Sequence, residues 1–356
     1  MSMEIKIDDI SLNVAEGTTI LDASRQAGLN IPTLCHIDGM EPYTSCMVCL
    51  VKDRQKNEFI PSCSALAREG MDIDASSDEV VSMRKKAVEL LLSEHRAECE
   101  APCHVVCPAG YHIPEMNRLL TGGRIKEAVQ LAISDAGEGD LRCFDCTGYC
   151  ENACRRKKID LPVSIRNIQL FVYGNSGRQL KGKDPSVPVP SRKISGRFSS
   201  RIGRLEDAEL MEWIKESNSE AERFREINDF NEAASESGSC MRCDCRAKDN
   251  CSLRELAQGL SLKDPAGKAT GSPVRKKINN STGLIFENAK CIKCGLCVRV
   301  AEKSGEVHHL CFINRGFVTI ISEPLTSDFN AVLAGQADKC AEACPTGALA
   351  FLGEEK

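Results

Sequence analysis

Residues 33–63 read TLCHIDGMEPYTSCMVCLVKDRQKNEFIPSC and carry cysteines at 35, 46, 49 and 63. Cys46 and Cys49 form a close pair that ties down one loop, while Cys35 and Cys63 arrive from further along the chain. Four thiolates can hold a 2Fe–2S rhomb, two to each iron. A four-cysteine zinc site is the alternative, but such sites usually pair two short C-x-x-C hooks, and this stretch has one. The flanking sequence fits a small domain built around these donors. Met3–Val14 alternates apolar and polar residues about Asp8-Asp9, which predicts a hairpin. Thr18 or Thr19 can cap a short helix from Ile20 to Ala27, closed by Gly28.

The same chemistry recurs to the end of the chain. There are 21 cysteines in 356 residues, enough chain for two to four domains. The amino terminus is charged and alternating, with no apolar signal core, so a reduced, cytoplasmic setting is expected. Clustered cysteines there read as metal ligands rather than disulfides. A net charge of −5 and only 4% aromatic residues argue against nucleic-acid partners. No apolar run is long enough to span a bilayer.

Ser76 and Glu79 form a capping-box pair, and Val80, Met83, Ala87, Leu91 and Glu94 recur at intervals of three to four, predicting an amphipathic helix that ends at His95. Cys99, Cys103 and Cys107 follow at every fourth residue, then Cys143, Cys146, Cys150 and Cys154. Between these runs Pro114 is placed to start the first of two short helices around Gly122-Gly123. Residues 178–204 are basic and rich in proline and serine, a linker pattern. Residues 205–236 are acidic, with Leu210, Trp213, Ile214, Phe224 and Ile227 at near-helical spacing. They read either as a connector packed on the chain's own surface or as a docking arm for a partner subunit.

Cys240, Cys243, Cys245 and Cys251 are dense enough to bind a 4Fe–4S cluster or a zinc ion. Cys291, Cys294 and Cys297 supply three thiolates from one turning loop, and position 301 is alanine where bacterial two-cluster ferredoxins place a fourth nearby. Cys344, before Pro345, is the remote fourth donor; Cys340 and Cys311 are spare, and Cys311 reads as a small buried hydrophobe.

GTTILDASRQAGLNIPTLC, TSCMVCLV and PSCSALAREGM resemble the amino-terminal ferredoxin-like domain of the large iron–sulfur subunit of respiratory complex I, which NAD-linked formate dehydrogenases and iron-only hydrogenases share. In that subunit a helix like 76–94 leads to a histidine that ligates a 4Fe–4S cluster, and His95 holds the similar place. The CPAG at 107–110, IPEMNRLL at 113–120, the C-x3-C-x3-C at 146–154 and the I-x-x-I-Q at 165–169 resemble the helical two-cluster domain of the glutamate synthase small subunit and of dihydropyrimidine dehydrogenase. That likeness implies Cys99, Cys103 and Cys154 on one 4Fe–4S cluster, with Cys143 or His95 fourth. Cys107, Cys146, Cys150 and Gln169 would hold another. The first run departs from the family, with C-x3-C where C-x2-C-x4-C is usual.

The stretch from Cys240 to Cys251 resembles the C-x2-C-x5-C-x-L-Q that follows the ligand histidine in the complex I subunit, with one extra cysteine, as if the two-cluster module were spliced between them. His95 could then return as a ligand there. KCIKCGLC, INRGF and CPTGAL resemble the same subunit's single 4Fe–4S pattern.

These resemblances imply an α+β multi-domain chain. Residues 1–78 would be a β-grasp 2Fe–2S ferredoxin-like domain and 79–175 a helical domain with two 4Fe–4S clusters. Residues 176–239 would be linker and acidic helices, and 240–356 a ferredoxin-like 4Fe–4S region. Nineteen of the 21 cysteines become ligands, for one 2Fe–2S and four 4Fe–4S clusters. Gly137-Glu-Gly139-Asp-Leu-Arg142 lacks the third glycine and preceding strand of a dinucleotide site, so no flavin is expected in this chain. The expectation is a non-catalytic electron-transfer subunit of a soluble complex. Its partners would be an NAD(P)H-linked flavoprotein and a second module such as a glutamate-synthase-like flavoprotein, hydrogenase or formate dehydrogenase subunit. A zinc-structured scaffold and a free-standing reductase are the rival readings.

Overall fold

The computed structural model describes residues 2–95, 99–137, 141–178, 207–218, 220–247, 249–262 and 275–352. The basic stretch 178–204 lies outside the described residues apart from Arg178. The chain folds as two compact units: Met1–Arg96 with Asp249–Ser272 and Lys277–Lys356, and Ala97–Lys248 with Pro273–Lys276. This division differs from the one the motifs suggest. Residues 207–247 belong with the helical module, and the C-terminal region shares a unit with the amino-terminal sheet.

The alternation at the amino terminus gives β1 (Ser2–Ile7) and β2 (Ile10–Ala15), antiparallel from Ser2↔Ala15 to Ile7↔Ile10. Asp8 and Asp9 take the left-handed turn between them. Thr19 caps α1 (Ile20–Gln26) by accepting from the Asp22 N–H at 3.1 Å, and Gly28 follows at φ +74°. β3 (Leu50–Asp53), β4 (Glu58–Pro61) and β5 (Asp72–Asp74) complete a five-stranded sheet of order β2-β1-β5-β3-β4, with β1 and β5 parallel. Ile5, Ile7, Ile20, Leu21, Val51 and Ile73 fill the core beneath it, each worth roughly 1.5–3 kcal/mol when fully buried.

α2 (Asp78–Glu94) starts one residue later than the capping box suggests, because Ser77 rather than Ser76 is the cap and accepts from Val80 N–H. Its buried face is Val80, Arg84, Ala87, Val88 and Leu92, so Met83, Leu91 and Glu94 are not part of it. The rotation follows from Arg84, whose Nε donates to Leu50 O of β3 at 2.9 Å.

The second unit is helical: α3 (Pro102–Val105), α4 (Ile113–Thr121), α5 (Ile125–Ala136), α6 (Tyr149–Asn152), α7 (Ile165–Gly174), α8 (Asp207–Ile214) and α9 (Phe230–Gly238). Pro114 does sit in the first turn of α4. α9 packs on α4 and α7. The buried Glu236 carboxylate accepts from Ser164 and Phe224 N–H, each at 2.8 Å, and Trp213 on α8 is fully buried. The acidic segment is thus a wall of this unit, which fits the reading that it packs on the chain's own surface.

In the first unit the chain resumes with α10 (Ser252–Gly259), which packs on α2. β6 (Lys276–Ile278), β7 (Leu284–Glu287) and β10 (Leu349–Phe351) form a sheet of order β10-β7-β6. β8 (Cys311–Ile313) pairs with β9 (Ile320–Ser322), while α11 (Leu296–Lys303) packs against α12 (Ala337–Ala343) over a core of Leu284, Phe286, Ala301, Leu310 and Leu333. Among the described residues no helix is long and apolar enough to cross a membrane.

Candidate metal centres

Cys35, Cys46, Cys49 and Cys63 converge beside the five-stranded sheet, all buried. Cys49 leads into β3 and Cys63 leaves β4, and the Ser62 N–H to Cys49 O bond of 3.2 Å holds these strand ends together. The Cys46 side chain hydrogen-bonds to the Cys35 thiol and holds it down, to about 5, while Cys46 is pushed up in return. Cys63 does the same for Cys49, held down to about 6, and is itself raised by Cys49, burial and the charges of Cys35 and Cys46. The four thiols therefore act on one another as one set. Two pairs of donors brought together in this way fit a 2Fe–2S rhomb.

Cys291, Cys294, Cys297 and Cys344 line one small internal cavity in the same unit. The first two sit on the loop before α11, Cys297 in its first turn, and Cys344 caps α12. Lys293, at φ +55°, turns its N–H onto Cys291 Sγ at 3.3 Å. Burial pushes the Cys291 thiol up to about 12 and raises Cys297 as well, with the neighbouring thiols adding to it. Buried thiols that each resist ionisation, and resist it more together, suit a site whose positive core stabilises thiolates. Cys340 instead donates its S–H to Cys297 O at 3.4 Å, and Cys311 is a half-buried residue on β8.

The two sets are neighbours. Ser45, beside Cys46, donates to Cys294 O at 3.5 Å. Arg299 on α11 donates to Cys35 O at 2.7 Å and also to Glu41 O, with its guanidinium 4.5 Å from the Tyr43 ring centre. Cys35 is close enough to Cys294 to help raise its pKa, after burial and Cys344.

The second unit gathers two further groups. Burial raises the Cys143 thiol, and Cys150, Cys107 and Cys146 raise it further. Arg166 holds this loop by donating from Nε to Cys143 O at 2.7 Å, and Gly148, at φ +80°, directs its N–H at Cys146 Sγ at 3.4 Å. Gln169 on α7 is buried, and its Oε1 has no hydrogen-bond partner among the described residues. Cys143 thus lies with Cys107, Cys146 and Cys150, whereas the likeness to the two-cluster family offers it as a donor beside Cys99, Cys103 and Cys154.

Burial also raises Cys103, followed by Cys240, Cys154 and Cys243, with Cys150 of the neighbouring group behind them. Burial raises Cys243 to about 12 against the opposing charges of Arg155 and Lys276. Cys103, Cys154 and Cys240 pack against one core, and Arg156 Nη1 donates to Ser239 O at 3.3 Å beside Cys240, a juxtaposition that local spacing does not reveal. Cys99 accepts the Cys245 N–H on its backbone carbonyl at 3.1 Å. In the first unit His95 is buried, with Nδ1 unpartnered among the described residues; burial, then Lys290, lower it to about 4, so it is neutral at physiological pH. Cys251, also in that unit, precedes α10 with its Sγ 3.8 Å from Pro345 O.

A single zinc ion needs its donors close to one point. Among the described residues no three His, Cys, Asp or Glu side chains meet in that way. Sequence reasoning missed the charges around the thiols. Glu216 is fully buried between Lys276 and Arg246, and Lys276 Nζ and the Arg155 guanidinium lie 4.0 and 5.3 Å from the centre of the Trp213 ring. Nothing local in their sequence marks these residues.

Residues 1–78 match the family described as a 2Fe–2S iron–sulfur cluster binding domain, and residues 77–179 match dihydropyrimidine dehydrogenase domain II, 4Fe–4S cluster. The chain is 33% identical over 99 residues to the NAD-reducing hydrogenase HoxS subunit gamma of Cupriavidus necator, covering 28% of this chain and 42% of that protein. It is 27% identical over 156 residues to the mitochondrial NADH-ubiquinone oxidoreductase 78 kDa subunit of Candida albicans, covering 41% and 21%. The chain spans less than half the length of the curated relatives it matches. Among solved structures, a chain of an NAD+-reducing [NiFe]-hydrogenase in the H2-reduced state has a TM-score of 0.51 at 16% identity, covering 99% of this chain and 88% of that one, a likeness of fold alone.

Proposed function

We propose that this chain is an iron–sulfur electron-transfer subunit, working between an NAD(P)H-linked flavoprotein and a second redox module. The observation that carries the reading is the pairing of thiol sets within each unit. In the first unit Arg299 of α11 donates to Cys35 O at 2.7 Å and Ser45 to Cys294 O at 3.5 Å, tying the loops of two sets together. In the other, Cys103 and Cys154 pack on the same core as Cys107, Cys143 and Cys150. Iron–sulfur clusters held there would supply stepwise one-electron chemistry. The chain's own part is to bury the thiolates, fix the loops that carry them and keep neighbouring sets close. The strand order β2-β1-β5-β3-β4 with α1 supports a β-grasp domain for the first set.

Four donor sets that lie wholly within one unit account for one 2Fe–2S and three 4Fe–4S clusters, about 14 irons. Of the donors in the sequence tally, Cys99 and Cys245 in the helical unit, and His95 and Cys251 in the first, stand outside these sets. A reducing compartment such as the cytoplasm suits so many thiolates. The relatives' names, a hydrogenase subunit and an NADH-ubiquinone oxidoreductase subunit, support a place in a multi-subunit oxidoreductase. The partners would carry the flavin and the substrate site. Dithionite should bleach the visible spectrum of the purified chain while NAD(P)H alone leaves it oxidised. Reduction by NAD(P)H without a partner would overturn the reading.

A further inference from the structure

We propose that Cys103, Cys154, Cys240 and Cys243 together ligate one 4Fe–4S cluster, so that half of its donors come from outside the segment 77–179 that matches an iron–sulfur family. The proposal rests on the iron–sulfur reading above and assigns a ligand set that neither the spacing nor that match gives.

The loop carrying Cys240 and Cys243 is held against the other two cysteines from both ends. Arg156, two residues past Cys154, donates from Nη1 to Ser239 O at 3.3 Å, immediately before Cys240. Asp244, immediately after Cys243, accepts from Arg118 of α4 at 3.0 and 2.9 Å, a fully buried pair. Cys245 N–H reaches Cys99 O, four residues before Cys103. Cys103, Cys154 and Cys240 all pack against the one core of this unit.

Inside the loop, Arg242 is left-handed at φ +47°, which turns its N–H onto Cys240 Sγ at 3.4 Å. Cys291 receives the same kind of contact from left-handed Lys293 in the other C-x-x-C loop. Backbone N–H groups aimed at sulfur stabilise thiolate charge and are among the levers that tune bound clusters. A pair of half-buried thiols 86 residues beyond Cys154 thus supplies what the departure from C-x2-C-x4-C removes upstream.

The test compares C240S/C243S, C103S/C154S and the quadruple variant as full-length, anaerobically purified chains, by iron content, acid-labile sulfide and electron paramagnetic resonance of the reduced protein. One shared site predicts that each double variant loses about four irons and the same 4Fe–4S signal, and that the quadruple variant loses no more. Additive losses, with about eight irons gone and two signals missing from the quadruple variant, would overturn the shared site and leave the relay reading intact.

Alkylation of the unaltered holoprotein guards against misfolded variants. As a chelator is titrated in, the four thiols should become reactive together; Cys240 and Cys243 unmasking at a different chelator dose from Cys103 and Cys154 overturns the site. A native chain without iron would overturn the relay reading itself.

Discussion

Arg299 Nη2 donates a hydrogen bond of 2.7 Å to the backbone carbonyl of Cys35. Cys297, two residues earlier on α11, belongs to the C-terminal thiol set, so one buried guanidinium joins the loops of two donor sets. A hydrogen bond to a charged group contributes roughly 1.5–3 kcal/mol. Arg299→Ala should leave the five-stranded sheet folded yet speed iron loss from the first set under mild chelation and weaken the magnetic coupling between the two centres. Unchanged release rates and spectra would show that the bond does not fix this pairing.

Gly295 takes φ +73°, and a Cβ built there would stand 2.6 Å from Tyr43 Cδ2 and 3.0 Å from Phe312. Gly295→Ala therefore carries both a left-handed backbone cost of roughly 1–2 kcal/mol and a clash with a ring fixed under Arg299. Loss of the C-terminal 4Fe–4S signal is expected, with partial recovery in G295A/Y43A, since the second change removes the clash and not the backbone strain. Full occupancy in G295A would refute the constraint.

Glu216 lies between Lys276 and Arg246 with all three side chains buried. Removing the carboxylate charge leaves two buried cations facing each other, and breaking a buried pair costs about 3–5 kcal/mol. Thermal unfolding of E216Q should start well below that of the native chain. Lys276 also opposes the burial that raises Cys243, so Lys276→Met should lower the reduction potential of the centre beside Cys243 and leave the 2Fe–2S potential unchanged, as redox titration would read.

Cys340 and Cys344 are four residues apart across the end of α12, and their thiols do different things. Cys340 donates to Cys297 O, whereas Cys344 shares the internal cavity with Cys291, Cys294 and Cys297. Cys340→Ser should keep the full iron complement, because a hydroxyl can make the same bond. Cys344→Ser should lose one 4Fe–4S signal. The reverse result would exchange their roles.

The hairpin, a threonine cap on α1 and the helices around Gly122-Gly123 are legible in the sequence, because each is written in neighbouring residues. The capping of α2 was displaced by one serine, and its buried face was misjudged because the Arg84 bond to Leu50 O outweighs local apolar periodicity. Spacing in the sequence groups Cys240 and Cys243 with Cys245 and Cys251. The proposed companionship with Cys103 and Cys154 would depend on α9 returning to α4 and α7, a tertiary event with no local signature. The charges at Glu216, Lys276 and Arg246 were invisible for the same reason.

The most direct test of the whole account is the iron and acid-labile sulfide content of the anaerobically purified chain, measured alongside zinc. The account predicts a brown protein with about 14 to 18 irons and equal sulfide per chain, for one 2Fe–2S and three or four 4Fe–4S clusters. A colourless, zinc-loaded protein with little iron or sulfide would contradict it.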